Sequence, residues 1–541
     1  MKIYLLAAAI LSFGLGAVAQ DTTGKKVKIT STFKPTLKEA AKINFNASPQ
    51  SVDTSKPRLQ YSIPNQNLSF AFQPGTLKPL ALDVDTGGRW ANESYLKLGF
   101  GNLSTPFVQT GLSVGDGKIS GINLYGKHVS SKGKIKYQDF NHTNLDLNAF
   151  FRSGNNIEWN ARFGAVQDLY KKYGFQPETL TFSDDSLRVK LQTWTGRLSF
   201  HNVDRTEFEI SYAPEIKFDL FNDQHTNGES NIYINLPFQK SVNENFGVDV
   251  SLTGNLTRYK PFKGTGVSNN FVSVAPSLLY KTTSLALQAG IKPSWSNNSF
   301  KIFPNVMAEF GSNDQRVAFQ LGWIGYLRNS GFQYMAGINP YIWAPANIYT
   351  SSIEERFAGF KGSAGNHFTY SAKAGYNKVT NQPLFTNDTT NGGKSFIVIN
   401  ESEMKVLNFG GEIGFNVGEK LSLLSNLQLN QYKTKDNEKA WGLLPLEFRT
   451  SLRIQVLKDL YVNSDLYAFD GPWYMTKGKD KNDLQGGMDL SAGAEFRIMN
   501  NLKLWLQFNN IFNKDYQRWN QYPVYGFNFL GGVVLSFAQN K

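Results

Sequence analysis

The feature that most constrains this chain is a two-residue alternation of apolar and polar side chains, repeated at even spacing from about residue 93 to the C-terminus. Successive side chains of an extended strand point to opposite faces, so this period means strands whose two faces meet different surroundings. The clearest run lies at 246–257: Phe246, Val248, Val250, Leu252, Gly254 and Leu256 share one face, and Asp249, Ser251, Thr253, Asn255 and Thr257 share the other. Trp194, Leu198 and Phe200 stand likewise against Thr195, Arg197 and Ser199, and Leu452, Ile454 and Val456 against Ser451, Arg453 and Gln455. The same pattern puts Phe208, Ile210 and Tyr212 opposite Glu207, Glu209 and Ser211. Along 502–509 it is broken once, by Trp505 on the polar side.

A soluble sandwich would alternate in the same way, and the unequal connections separate the two. Short polar links near 202–205, 242–245, 281–283, 311–314, 417–419, 458–459 and 500–501 alternate with longer segments at 167–188, 221–229, 259–269, 327–364, 432–445, 470–484 and 513–524. Tight turns at one end and long loops at the other are the pattern of an outer-membrane barrel, and the count comes to about 22 strands. Composition agrees. Charged residues make up 18% of the chain and aromatics 14%, with 48 Gly, which suits walls that are polar inside and apolar outside. Beyond the N-terminal segment nothing approaches the ~20 apolar residues of a spanning helix, so a closed barrel is the remaining way across a bilayer. The expected fold is all-β, a transmembrane antiparallel barrel over 89–541.

Residues 1–19 read as a secretory signal: Lys2, an apolar stretch from Ile3 to Leu15, then Ala17, Val18 and Ala19 before Gln20. The chain has no Cys, which excludes lipoprotein processing, disulfides and thiolate metal sites. Residues 20–88 lack alternation and are broken by Pro35, Pro49, Pro57, Pro64, Pro74 and Pro79. They read as a periplasmic extension with one short helix started by the Thr36/Glu39 capping pair. Such a segment is either a tether or a piece that docks in the barrel mouth or on an outer-membrane or periplasmic protein partner.

Chemistry is sparse. The histidines at 128, 142, 201, 225 and 367 stand singly, without metal-ligand spacing. There is no nucleophile elbow and no phosphate loop. Glu207 and Glu209, facing a wide lumen, would set ion preference rather than catalyse. In 477–483 the acidic spacing puts Gln485 where a calcium loop needs glycine. No catalytic residue, metal or cofactor is expected, and the chain does not read as an enzyme. The net charge of +13 is spread along strands and loops. It therefore suits a lumen or the headgroups of outer-membrane lipid and lipopolysaccharide, not nucleic acid. The loops carry the functional hint: Phe332, Tyr334, Tyr341, Trp343 and Tyr349, then Trp473 and Tyr474, then Tyr516, Trp519, Tyr522 and Tyr525. Tyr341, Trp343, Trp473, Tyr474 and Trp519 are the candidate ligand-binding residues. The alternative is that these aromatics form the outer belt or pack together to close the barrel top.

In the last strand Phe527, Phe529, Gly531, Val533, Leu535 and Phe537 alternate with Gly526, Asn528, Gly532, Val534 and Ser536. Gly532, Leu535 and Phe537 resemble the terminal signal read by barrel-assembly machinery. The run Asn509, Asn510, Ile511, Phe512, Asn513, Lys514, Asp515 and Tyr516, followed by Pro523, Gly526, Phe529, Gly532 and Phe537, resembles the C-terminal strand pair of TonB-dependent outer-membrane receptors. Phe527 stands where that family usually has Arg. The resemblance implies a barrel in the bacterial outer membrane. Residues 20–88 offer neither the length nor the glycine-rich strands of the family's plug domain, nor its partner-binding box, so the chain looks like plug-less relatives of the Bacteroidetes lineage. The expected role is a binding or accessory component of the outer membrane, with a passive channel or a glycan or peptide uptake receptor as alternatives.

Overall fold

The computed structural model describes residues 93–538, apart from 298, 313–315, 419 and 476–480. The signal segment 1–19, the extension 20–88 and its Thr36/Glu39 helix lie outside the described residues.

Every wall strand pairs antiparallel with its neighbours in sequence, and the first, Glu93–Gly101, closes on the last, Asn528–Ala538, from Glu93↔Ala538 to Gly101↔Leu530. The result is a closed barrel of 22 strands. Two of them are interrupted. Ile210–Tyr212 and Glu215–Asp223 are one strand split at Pro214, where the ladder loses an N–H. Val267–Ser268 and Phe271–Lys281 are another, split at Asn269 and Asn270.

The alternation resolves as an outward apolar face and an inward polar one. On Phe246–Lys260, Val248, Val250, Leu252 and Leu256 are exposed to the outside, while Asn255 and Thr257 are buried inside. On Phe396–Val417, Leu407, Phe409 and Ile413 form the outward belt, whereas Met404, Val406 and Asn408 face in. The tight turns gather at one end, as at 242–245, 458–459 and 500–501, together with both described chain ends; the long connections 172–187, 331–348, 435–445, 470–486 and 510–527 gather at the other. That loop end also has a tight link, at 102–104.

Two sequence expectations need correction. The segment 327–364 is not one loop: Val317–Ser330 runs into it, the helix Phe332–Ile338 follows, and Tyr349–Ala364 is a wall strand of 16 residues. Glu207 and Glu209 do not face the lumen from a strand. They lie in the turn before Ile210, with Glu209 at φ 56° and its carboxylate 3.1 Å from Arg205, because that turn closes through Thr206 rather than extending the ladder.

Several strands outrun the membrane. A tilted spanning strand needs about 9–11 residues, whereas Phe368–Asn387 has 20 and Phe396–Val417 has 22. Their loop-side halves therefore stand above the apolar belt.

Trp505, the apolar residue on the polar side, sits at the closing seam. It is 4% exposed and faces in, donates from Nε1 to the Leu98 carbonyl at 3.0 Å, and packs on Phe107 with ring centres 5.2 Å apart. Gly99 lies directly beneath it, where a Cβ would come within 2.3 Å of the indole. Gly532 is cross-strand partner to both Gly99 and Trp505.

Candidate functional site

The loops do not splay outward from the barrel; they fold together across its mouth. The helix Phe332–Ile338 is held by a carboxylate distant in sequence: Glu229, on Gly228–Ser241, accepts from the N–H groups of Phe332 and Gln333. The unpaired N–H groups of a helix end need acceptors; burial pushes the Glu229 carboxyl up to about 7, while its bonds from Phe332 and Gln333 act to lower it. Gly331 precedes the helix, and a Cβ there would displace the Glu229 carboxylate, which lies 2.4 Å from where that Cβ would stand. The helix buries Phe332, Met335, Ala336 and Ile338 against Phe221 and Tyr259 from the wall, Tyr341, Ile342 and Ile348 from the following loop, Phe385 and Phe396, and Trp519 and Tyr522 of the last loop.

Tyr341 stacks on Tyr522 with centroids 3.8 Å apart, and Trp519 packs edge-on to Phe385 and Phe396. Backbone bonds lock the layers: Trp343 donates to Phe396 and Phe396 to Tyr341, while the Tyr259 hydroxyl donates to the Pro345 carbonyl at 2.7 Å. A second apolar cluster joins Ile353, Val379, Leu384, Met404 and Val406 of the inner wall to Ala440, Trp441 and Leu443 of the next loop, with Trp473 and Met475 packed against it. Arg518 bridges the two, donating to the Gly442 carbonyl at 2.9 Å and lying 4.1 Å over Trp519. Burying a large apolar side chain is worth roughly 1.5–3 kcal/mol, so these clusters form a packed cap.

The five candidate aromatics separate accordingly. Tyr341, 7% exposed, and Trp519, 4% exposed, are interior to the cap. Trp473 and Tyr474 are half-buried, with the Lys439 ammonium 3.7 Å over the Trp473 ring. Trp343 is exposed at 37%. Gly532 lies in the seam, and Leu535 and Phe537 occupy the alternate positions of that strand that face outward.

Around Trp343 a cluster of charged side chains has formed that sequence reasoning missed. Its indole N–H donates to the Asp388 carboxylate at 2.9 Å, which also takes bonds from Thr390 and Asn391. Burial works against that charge, but these hydrogen bonds hold the Asp388 carboxyl below its ordinary range, so it stays ionised. Lys172 lies 4.3 Å over the Trp343 ring; Lys394 lies 5.7 Å over the same ring and 4.5 Å over Phe182. Both lysines are only 3% exposed, and neither ammonium makes a hydrogen bond or ion pair among the described residues. Burial, then repulsion from Lys394, pushes Lys172 down to about 8. Burial lowers Lys394 as well. Two cations buried over aromatic faces, attracted to the nearby Asp388 carboxylate without a hydrogen bond to it, suit an anionic group. Only the fold could bring them together: they come from loops over two hundred positions apart, and nothing local marks them among 56 Lys and Arg.

No family model matches the sequence, and no curated protein matches it. Solved structures do. The FrpB iron transporter from Neisseria meningitidis superposes with a TM-score of 0.62 at 11% identity, over 82% of this chain and 81% of that one. The siderophore receptor PirA from Acinetobacter baumannii gives 0.61 at 10%, over 82% and 80%. The ferric-catecholate import receptor Fiu from E. coli K12 gives 0.61 at 10%, over 83% and 82%. At such identities the likeness is one of fold, and in fold this chain is similar to the 22-strand barrel of TonB-dependent outer-membrane receptors.

Proposed function

We propose that this protein is a receptor-like barrel of the bacterial outer membrane that binds an anionic ligand at its loop end and acts as a binding or accessory component, without a plug domain and without enzymatic chemistry. The observation that carries this reading is the cap. A 22-stranded barrel is wide enough to be a large pore, and such lumens are normally filled; here the loops are packed over the mouth, so the wall need not conduct. The Lys172, Lys394 and Trp343 cluster gives that closed mouth positive groups to which an anion could bind. The neighbours' named cargoes, iron, ferric catecholates and siderophores, accord with an anionic or metal-chelate ligand. Export by residues 1–19, insertion by barrel-assembly machinery through Gly532, Leu535 and Phe537, and a protein partner for residues 20–88 belong to the same proposal.

Planar-bilayer recording of the purified full chain tests it. A silent barrel is expected; steady nanosiemens openings would replace this reading with a passive channel.

A further inference from the structure

The outward wall above the apolar belt carries a charge pattern that sheet pairing alone does not favour. On four adjacent strands, Tyr349–Ala364, Phe368–Asn387, Phe396–Val417 and Leu421–Thr434, one cross-strand row reads Glu354↔Lys378, Lys378↔Lys405 and Lys405↔Lys433. Three lysines thus stand directly opposite one another on neighbouring strands about 4.8 Å apart, an arrangement that repels. Their outward direction follows from the alternation: Met404 and Val406, on either side of Lys405, are buried in the inner cluster, and Leu407 and Phe409 continue its face into the belt.

The row on the turn-end side runs Trp323↔Arg356, Arg356↔Tyr376 and Tyr376↔Leu407. It marks the edge of the apolar surface, with Trp323 and Tyr376 as interfacial aromatics. Compensation is partial. Glu403 pairs with Lys378 at 2.8 Å and Glu354 with Arg356 at 3.0 Å, while Lys405 and Lys433 are exposed and enter no ion pair among the described residues. Glu354, Arg356, Tyr376, Lys378 and Lys405 line a cavity of about 310 Å³.

We propose that this row is a binding site for the phosphate of an anionic outer-leaflet glycolipid, whose chains lie on the apolar belt below while its phosphate sits among Lys378, Lys405 and Lys433. The site abuts hydrocarbon-facing residues and faces away from the lumen, which selects a lipid over a soluble anion. A bound phosphate offers the acceptors that relieve the lysine repulsion. The inference rests on the barrel being embedded in a membrane, and on nothing about the ligand at its mouth.

The test is native mass spectrometry of the full chain in zwitterionic detergent, titrated with bisphosphorylated lipid A, with its dephosphorylated form, and with inorganic phosphate. Wild type retains the phosphorylated lipid. The triple variant Lys378→Gln, Lys405→Gln, Lys433→Gln binds it at least about tenfold more weakly, with barrel migration unchanged. Glu403→Gln, which frees Lys378, tightens it. Equal retention by wild type and the triple variant overturns the site, and so does equal retention of the dephosphorylated lipid. Displacement by an equal concentration of inorganic phosphate overturns it in favour of a soluble anion. Should the triple variant not fold, unchanged binding by Glu403→Gln is the overturning result. A detergent-requiring barrel indifferent to these changes sinks the lipid site alone; a chain freely soluble without detergent sinks the membrane reading itself.

Discussion

A Cβ on Gly532 would lie 1.9 Å from the Leu98 carbonyl oxygen and 2.6 Å from the Gly99 Cα. Those are backbone atoms of the strand that closes the barrel, so no side-chain rotation relieves the contact. Gly532→Val is expected to abolish the heat-resistant fast-migrating form, while Leu535→Val, at an outward position, leaves it intact; a folded Gly532→Val barrel would refute this role for the seam. Trp505 was legible in the sequence as a break in alternation, but its partner Gly99 was not, since the pair meets only through the first-to-last strand closure. Lys172 was equally invisible, because an isolated loop lysine shows its burial only once loops 172–187 and 388–395 have folded. Its value of about 8, against 10.5 for the ordinary amine, has a definite sign in pH. Between those values the unfolded chain holds a proton that the folded chain lacks, so stability rises with pH across about 8 to 10.5, and below 8 the burial penalty is complete. Lys172→Met should flatten the rise in melting temperature between pH 8 and 10 relative to wild type. An unaltered slope would mean that other groups cause it. Affinity for an anionic ligand should fall across the same interval as the ammonium is lost.

At the scale of elements, strands were far more legible than loops, for a physical reason. Each strand carries its own two-sided environment in its alternation, whereas 331–348 depends on partners at Phe221, Phe385 and Trp519. The stretch Phe332–Ile338 begins with Gly331 and lacks a side-chain cap of its own; its cap comes from Glu229, 103 residues away. That is why the sequence alone shows only a loop there and does not set the wall strand Tyr349–Ala364 apart from it. Replacing a helix-capping group costs about 1 kcal/mol, and here the abandoned N–H groups would also be shielded from water. Glu229→Ala should therefore loosen the helix without unmaking the barrel, which limited proteolysis would register as faster cleavage within 331–348 while the wall stays protected. Cleavage at the wild-type rate would show that apolar packing alone holds the helix.

For the whole molecule, wall and cap answer to different forces. The wall is held by 22 strands' worth of continuous ladder and by its belt in hydrocarbon, where every backbone group must be paired. The cap is held by aromatic contacts between loops, by isolated backbone bonds such as Trp343 to Phe396 and Phe385 to Trp441, and by short ladders within the loops, as at 473–483 and 517–523. The closed top was one of two readings that the loop aromatics allowed. Of the five candidate aromatics Tyr341 and Trp519 are buried in the cap, Trp473 and Tyr474 are half-buried and Trp343 is exposed. The two structures should be separable by deletion. Replacing 332–344 with a flexible Gly-Ser linker removes the helix and Tyr341 from the centre of the cap and should leave the ladder untouched, since Val317–Ser330 and Tyr349–Ala364 pair with each other independently of it. The expected result is a barrel that still migrates as folded but conducts in a planar bilayer where the wild type is silent. A deletion variant that folds and stays silent would show that the lumen is blocked below the cap, and the closing role argued for the loops would then pass to whatever fills it.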